Sequence, residues 1–220
     1  MKHDEAGVAA AVEPEPQAAA TLAGERIDVL RAFTADLAAR GEELGLIGPL
    51  ELPRLWTRHI LNSAVLAPLI RTGTRVADIG TGGGMPGLVL GIVRPDVELF
   101  LVEPMERRCA WLSEQIERLG LTNTHVKRGR AEEFHGAFEA DYVTARAVTA
   151  LRKLVPLTAP LLREGGELMF LKGAAIDDEI AAAQKVLRKY RLQDIEVAEL
   201  GVDLLSETTR VFRAKVGTHG

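Results

Sequence analysis

The stretch Val76-Ala77-Asp78-Ile79-Gly80-Thr81-Gly82-Gly83-Gly84-Met85-Pro86-Gly87 constrains the fold of this chain more than any other. A short apolar run enters a segment with four glycines in five positions, and a second apolar run leaves from Pro86 with helical character. A strand turning through glycine into a helix is the opening unit of an α/β sheet, and ligands of open α/β sheets bind at the carboxyl ends of the strands. Two overlapping patterns fit the loop. Gly82-x-Gly84-x-x-Gly87 is the form that cradles a pyrophosphate, whereas Asp78-x-Gly80-x-Gly82-x-Gly84 suits a different ligand.

The non-glycine members distinguish them. A pyrophosphate rests on free N–H groups at a helix start and on the positive end of the helix dipole. Pro86 removes one donor there, and Asp78 places a carboxylate just before the turn, so both disfavour phosphate. S-adenosylmethionine carries an adenosine but ends in a sulfonium and an amino acid. Asp78 is expected to bond that amino group directly or through water, while Gly80, Gly82 and Gly84 let backbone approach where a Cβ would clash or where φ is positive. Glu103, at the end of the next strand run, stands where an acid accepts hydrogen bonds from both ribose hydroxyls. After the third run, Ala131 is expected to offer backbone bonds to the adenine and Glu132 to accept one from its exocyclic amine.

The rest of the chain alternates as a parallel sheet covered by helices requires. Strands are expected near Arg75–Ile79, Val97–Val102, Thr124–Arg128, Ala140–Ala145 and Gly166–Leu171, with helices near Pro86–Val93, Met105–Leu119, Leu151–Arg163 and Asp177–Tyr190. Asp194–Leu200 and Thr208–Val216 follow with no helix between them, which predicts an antiparallel pair. Before the sheet, Ile27, Leu30, Phe33, Leu37 and Ala38 make Glu25–Arg40 an amphipathic helix, and Leu55–Ser63 reads as another. Residues 1–21, Ala-rich with Glu13-Pro14-Glu15-Pro16, read as a disordered acidic tail. A single domain is expected over 22–220, with a helical extension at 22–72 and a cofactor-binding core at 73–220.

Composition excludes several classes. At 47% hydrophobic and 26% charged the chain is globular, and its apolar runs fall far short of the roughly 18 residues that cross a bilayer. Cys109 is the only cysteine, which excludes an intrachain disulfide and a Cys-based metal site and points to a reducing, cytoplasmic setting. Asp4, Glu5, Glu13 and Glu15 against Lys2 carry -3 of the -4 net charge, leaving a near-neutral body that says little about partners.

The glycine loop, Arg58-His59-Ile60-Leu61-Asn62-Ser63, Thr144-Ala145-Arg146-Ala147 and Leu171-Lys172-Gly173 together resemble the bacterial small-subunit ribosomal RNA methyltransferase G family, also called glucose-inhibited division protein B. The resemblance covers about residues 25 to 216, and the form with proline at the helix start is narrower than the general methyltransferase loop. It implies a class I, Rossmann-like methyltransferase fold: a mostly parallel seven-stranded sheet with an antiparallel C-terminal hairpin, preceded by N-terminal helices. It further implies methyl transfer from S-adenosylmethionine to N7 of one guanine in the decoding-region loop of 16S rRNA; the expected substrate is that RNA within the small ribosomal subunit or an assembly intermediate, and the protein is expected to be a monomer. Cofactor contacts carried over fall on Gly80, Met85, Ala131, Glu132 and Arg146.

Guanine N7 already presents an in-plane lone pair, so no catalytic base is expected, and the sequence offers no metal motif, no nucleophile elbow and no Asn-Pro-Pro-Tyr after the fourth strand. Arg146, Lys172, Arg58 and His59 are the candidates for substrate contact, with Arg146 suited to guanine O6 or a phosphate. Basic clusters at Arg107-Arg108, Lys127-Arg128 with Arg130, Arg152-Lys153, and Lys185 with Arg188, Lys189 and Arg191 are candidates for RNA contact. Two other readings keep the loop: an S-adenosylmethionine enzyme acting on a small molecule, and an NAD-dependent oxidoreductase.

Overall fold

The computed structural model describes residues 11–217. Its frame is a seven-stranded sheet of order β3-β2-β1-β4-β5-β7-β6. In chain order the elements are α1 (Ala18–Ala23), α2 (Ile27–Arg40), a π-helix (Leu55–Leu61) that runs into the single turn α3 (Asn62–Ala64), β1 (Arg75–Ile79), α4 (Gly87–Val93), β2 (Glu98–Glu103), α5 (Glu106–Arg118), β3 (Thr124–Arg128), β4 (Ala140–Arg146), α6 (Leu151–Thr158), β5 (Leu162–Lys172), α7 (Ile176–Lys189), β6 (Leu192–Leu200) and β7 (Thr209–Val216). Strands β3, β2, β1, β4 and β5 are parallel, and β7 pairs antiparallel with both β5 and β6.

The antiparallel ending is as expected, and the structure adds its order: β7, the later strand, is the inner one. Val211, Phe212 and Ala214 on β7 are buried, as a strand covered on both faces demands. β6 carries Asp194, Glu196 and Glu199 and takes the edge, where charge suppresses pairing with other chains.

Side-chain alternation divides the core into two layers. Val76, Leu99, Leu101 and Tyr142 point to the layer shared with α2, α4 and α5. Ala77, Ile79, Phe100, Val102 and Val143 point to the layer shared with α6 and α7. By the same alternation Asp78 and Thr144, register partners on β1 and β4, share the first face, and Arg146 follows two residues later at the end of β4.

Three expectations need correction. The tail reading lies outside the described residues for 1–10, but 11–21, although largely exposed, is anchored to the fold. Ala18, Ala19 and Ala23 are buried, and α1 packs on α2, α4 and the π-helix. The Glu13 carboxylate accepts the Thr57 N–H at 2.9 Å, and Glu15 accepts Arg31 Nε–H at 2.7 Å. Alanine's helix propensity and small side chain allow close approach here, so Ala-richness marks a packed helix. The helix expected at Leu151–Arg163 stops at Thr158 and gives way to a 3-10 turn at Ala159–Leu161, because Pro160 has no N–H with which to continue the ladder. The segment Leu55–Leu61 is a π-helix, not an α-helix.

Candidate active site

The carboxyl ends of β1, β2, β3 and β4 converge on the glycine loop. Gly80 and Gly82 sit at φ 67 and 58, and a Cβ on Gly80 would meet Val148 Cγ2 at 2.9 Å. Backbone conformation disfavours a side chain at both, and at Gly80 space does as well. The loop's amides are almost wholly occupied. Gly82 N–H donates to Glu103 Oε2 (3.0 Å), Gly84 and Met85 N–H to the Thr81 carbonyl (2.9 and 3.1 Å), Gly87 N–H to Asp78 Oδ2 (2.8 Å), and Leu88 and Val89 N–H to the Gly84 carbonyl (2.8 and 3.2 Å). With Pro86 lacking an N–H, only Gly83 between Gly80 and Val89 keeps an amide without such a partner, whereas a pyrophosphate needs a row of them. The residues present fit a ligand with adenosine and amino-acid ends and no phosphate.

Asp78 has no exposed surface; Oδ1 accepts the Thr144 hydroxyl at 2.8 Å and Oδ2 the Gly87 amide. Burial pushes its pKa up, with hydrogen bonds from the loop acting in the opposite direction. The expected direct bond to the cofactor's amino group is therefore not available in this arrangement: Asp78 fastens the start of α4 to β1 and β4. Glu103, 2% exposed, bridges the β1 loop and α5 by accepting Gly82 N–H and Met105 N–H (3.0 Å each), with Arg108 Nη1 3.9 Å from Oε2. A carboxylate has about four acceptor positions, so capacity for hydroxyl donors remains. Met85 is 4% exposed and packs into the core, which leaves it a backbone role at the loop. Ala131 is buried and Glu132 exposed on the 3-10 turn Ala131–Phe134 after β3.

On the β4–β5 side of the same edge lies a cavity of about 930 Å³, and all four substrate candidates, Arg58, His59, Arg146 and Lys172, line it. Gly80, Gly82, Glu103, Ala131 and Glu132 do not, so cofactor and substrate candidates occupy neighbouring regions that meet at Val148, which lies against Gly80, and at Arg146, which feels the Asp78 charge. Three of the four candidates, Lys172, His59 and Arg146, are already hydrogen-bonded within the protein. Lys172 Nζ donates to the Thr149 carbonyl (2.9 Å) and to Glu179 Oε2 (2.8 Å), and Glu179 also caps the Leu151 amide (2.8 Å). Lys172 therefore ties β5 to α7 and to the segment after β4, with one ammonium hydrogen left over. His59 lines the cavity with both ring nitrogens bonded: Nε2 lies 2.6 Å from Glu51 Oε2 and Nδ1 3.0 Å from Arg146 Nη2. It supports Arg146 instead of standing free for substrate.

Arg146 is held a second time by donating to the Arg58 carbonyl at 3.1 Å. Burial lowers its pKa, and the Asp78 charge works against that shift. Burial and the Arg146 charge lower that of His59. Burial alone would raise Glu51, but hydrogen bonds from His59 and Arg54 hold it below the ordinary glutamate value. Arg58 keeps an exposed side chain, with Nε 3.5 Å from Glu51 Oε2. Sequence reasoning missed Glu51 and Glu179. Glu51 lies in the loop before the π-helix and Glu179 on α7, so each meets partners on other elements, which no pattern within one element marks.

The family described as rRNA small subunit methyltransferase G matches residues 26–205. The "Ribosomal RNA small subunit methyltransferase G" of Clavibacter michiganensis subsp. michiganensis is 59% identical over 205 residues, covering 93% of this chain and 97% of that protein. That of Leifsonia xyli subsp. xyli is 59% identical over 205 residues, covering 93% and 98%, and that of Thermobifida fusca 45% over 201 residues, covering 91% and 85%. Among solved structures, a SAM-dependent O-methyltransferase from Thermotoga maritima superposes with TM-score 0.59 at 17% identity over 73% of this chain and 66% of the other. The tRNA (m1A58) methyltransferase of Aquifex aeolicus gives 0.56 at 16% identity over 72% and 69%. Identities this low speak to the fold, an S-adenosylmethionine-dependent methyltransferase sheet. With the family match running from the start of α2 to the loop before β7, and with curated relatives at 59% identity over nearly their whole length, this chain belongs to the rRNA small subunit methyltransferase G family.

Proposed function

We propose that this chain, an S-adenosylmethionine-dependent rRNA methyltransferase by family, methylates N7 of a single guanine in the decoding-region loop of 16S rRNA, acting as a cytoplasmic monomer on the small subunit or an assembly intermediate. The observation that carries the reading is the cavity of about 930 Å³, lined by Arg58, His59, Arg146 and Lys172, beside a glycine loop whose amides are almost all occupied. A cavity of this size admits a nucleobase turned out of its stack.

S-adenosylmethionine, when bound, supplies a methyl group made electrophilic by its sulfonium. The chain's task is alignment, since the N7 lone pair needs no proton removed before attack. Holding the base in line with the methyl can contribute on the order of 7 kcal/mol. Gly80 and Gly82 keep the donor's seat free of side chains, and Glu103 receives the ribose hydroxyls with its remaining lone pairs. Ala131 and Glu132 flank the adenine. Arg146 directs its unshared N–H groups at guanine O6 or the cofactor carboxylate, because a donor on N7 would block the attacking lone pair. Arg58 and the third hydrogen of Lys172 meet phosphate or base. Within the cavity Glu51, Glu179 and His59 are bonded to protein groups.

Small subunits from a strain lacking this gene, incubated with the protein and methyl-labelled S-adenosylmethionine, are expected to gain label at one guanine, mapped by the lability of N7-methylguanine to reduction and strand cleavage. Label confined to small metabolites, or affinity for NAD with none for S-adenosylmethionine or its demethylated product, would overturn the reading.

A further inference from the structure

The cavity wall contains a three-residue chain, Glu51–His59–Arg146, whose hydrogen bonds admit only one proton arrangement. Glu51 is an obligate acceptor at His59 Nε2 (2.6 Å), and Arg146 is an obligate donor at His59 Nδ1 (3.0 Å). Both bonds are satisfied only by the neutral imidazole with its hydrogen on Nε2. The backbone fixes the ring as well. His59 lies in the π-helix, its own carbonyl accepts the Ser63 hydroxyl at 2.6 Å, and its neighbour Arg58 offers the carbonyl that receives Arg146 Nη1. π-Helical segments recur at functional sites. One short segment thus supplies two acceptors to one guanidinium and sets its plane.

We propose that His59, held in a single tautomer by Glu51, is a positioning residue that fixes the Arg146 guanidinium at the junction of cofactor loop and cavity, and that protonation of His59 releases it. A proton on Nδ1 removes the acceptor and sets an imidazolium against a guanidinium. The inference rests on the methyltransferase reading of the site. It makes His59 an acid-side switch for a reaction whose own chemistry has no titrating group near neutrality.

The charged groups facing His59 are Glu51 from the loop before the π-helix, Arg58 on the π-helix itself and Arg146 from β4. Arg54 binds the other Glu51 oxygen at 2.6 Å, and Asp78 acts electrostatically on Arg146. Across the cavity stand the Lys172–Glu179 pair and Glu207. Burial and the two flanking arginines oppose a positive His59, and Glu51 favours it. The net effect is to lower its pKa, so the neutral, Arg146-holding form prevails at neutral pH.

The test is the pH dependence of single-turnover methyl transfer to small subunits, from about pH 5 to 8, for wild type, His59→Gln and His59→Ala, with folding of each variant checked by thermal melting at every pH. Wild type is expected to lose rate on an acid limb that follows His59 protonation and levels off near the His59→Ala value. His59→Gln keeps a side-chain oxygen able to accept from Arg146 but cannot titrate. It is expected to restore activity to within about fivefold of wild type at neutral pH and to abolish the acid limb, whereas His59→Ala is expected to lie about tenfold or more below the neutral wild-type rate with no acid limb of its own, the scale of one lost charged hydrogen bond. A His59→Gln profile that keeps the wild-type limb, a wild-type profile without a limb, or His59→Gln as impaired as a folded His59→Ala would overturn the proposal. Each of these leaves the function reading standing; failure of wild type to methylate any rRNA guanine would overturn that reading instead.

Discussion

At the scale of single residues, the site depends on carboxylates that brace backbone. Asp78 meets Thr144 because the two are register partners on adjacent strands, and it meets Gly87 because α4 begins over the same sheet face. Its raised pKa has a definite sign. The neutral acid is favoured in the folded state, so the associated stability is present below the unfolded pKa and is lost as pH rises through the folded one. Asp78→Asn, which resembles the neutral acid, is expected to remove that loss, and Asp78→Ala to fall about 1–3 kcal/mol below Asp78→Asn by leaving buried donors unpaired. Denaturant titration across pH measures both. Glu103→Ala is expected to weaken S-adenosylmethionine binding by about 1–3 kcal/mol; unchanged affinity in calorimetry would remove Glu103 from the ribose site. Gly80→Ala combines a positive φ with a Cβ 2.9 Å from Val148 Cγ2, so stability measured by denaturant unfolding is expected to fall by about 1–3 kcal/mol.

At the scale of elements, the N-terminal helices are part of the site's foundation. Phe33 on α2 contacts the Trp111 ring on α5 at 6.4 Å between centroids, and Trp111 Nε1–H donates to the Gly83 carbonyl at 3.1 Å. The glycine loop is thereby connected to a helix that precedes the sheet by some thirty-five residues of chain. Trp111→Phe keeps most of the packing and removes the bond. It is expected to lower cofactor affinity by about 1 kcal/mol with a smaller change in melting temperature, whereas Phe33→Ala is expected to cost about 3–5 kcal/mol of stability. Calorimetry and denaturant unfolding on the same variants separate the two effects. The helical periodicity of α2 was plain in the sequence, as were the strand runs. The π-helix was not, because the wider turn leaves no distinct composition in Leu55–Leu61 and is chosen by what packs around it.

At the scale of the whole molecule, a net charge of -4 provides no general attraction to RNA, so affinity must come from local cations. Arg152 and Lys153 begin α6 just beyond the cavity-lining Thr149, and both are exposed. Charge reversal at both positions is expected to reduce kcat/KM on small subunits by about tenfold and to flatten its salt dependence, with cofactor affinity unchanged; equal effects on cofactor binding would place them elsewhere in the mechanism. The sequence by itself determined the parallel sheet, its antiparallel ending and the phosphate-averse loop, because strand alternation, helix period and the Asp78–Pro86 neighbours are local properties that chain order preserves. Only the tertiary structure decided that Asp78 is sealed beneath α4, that α1 is packed and not a tail, that β7 lies inside β6, and that Glu51, His59 and Arg146 form one chain of bonds. Those outcomes depend on which groups meet across long sequence separations and on which donors and acceptors burial forces to pair, and neither is encoded in spacing along the chain.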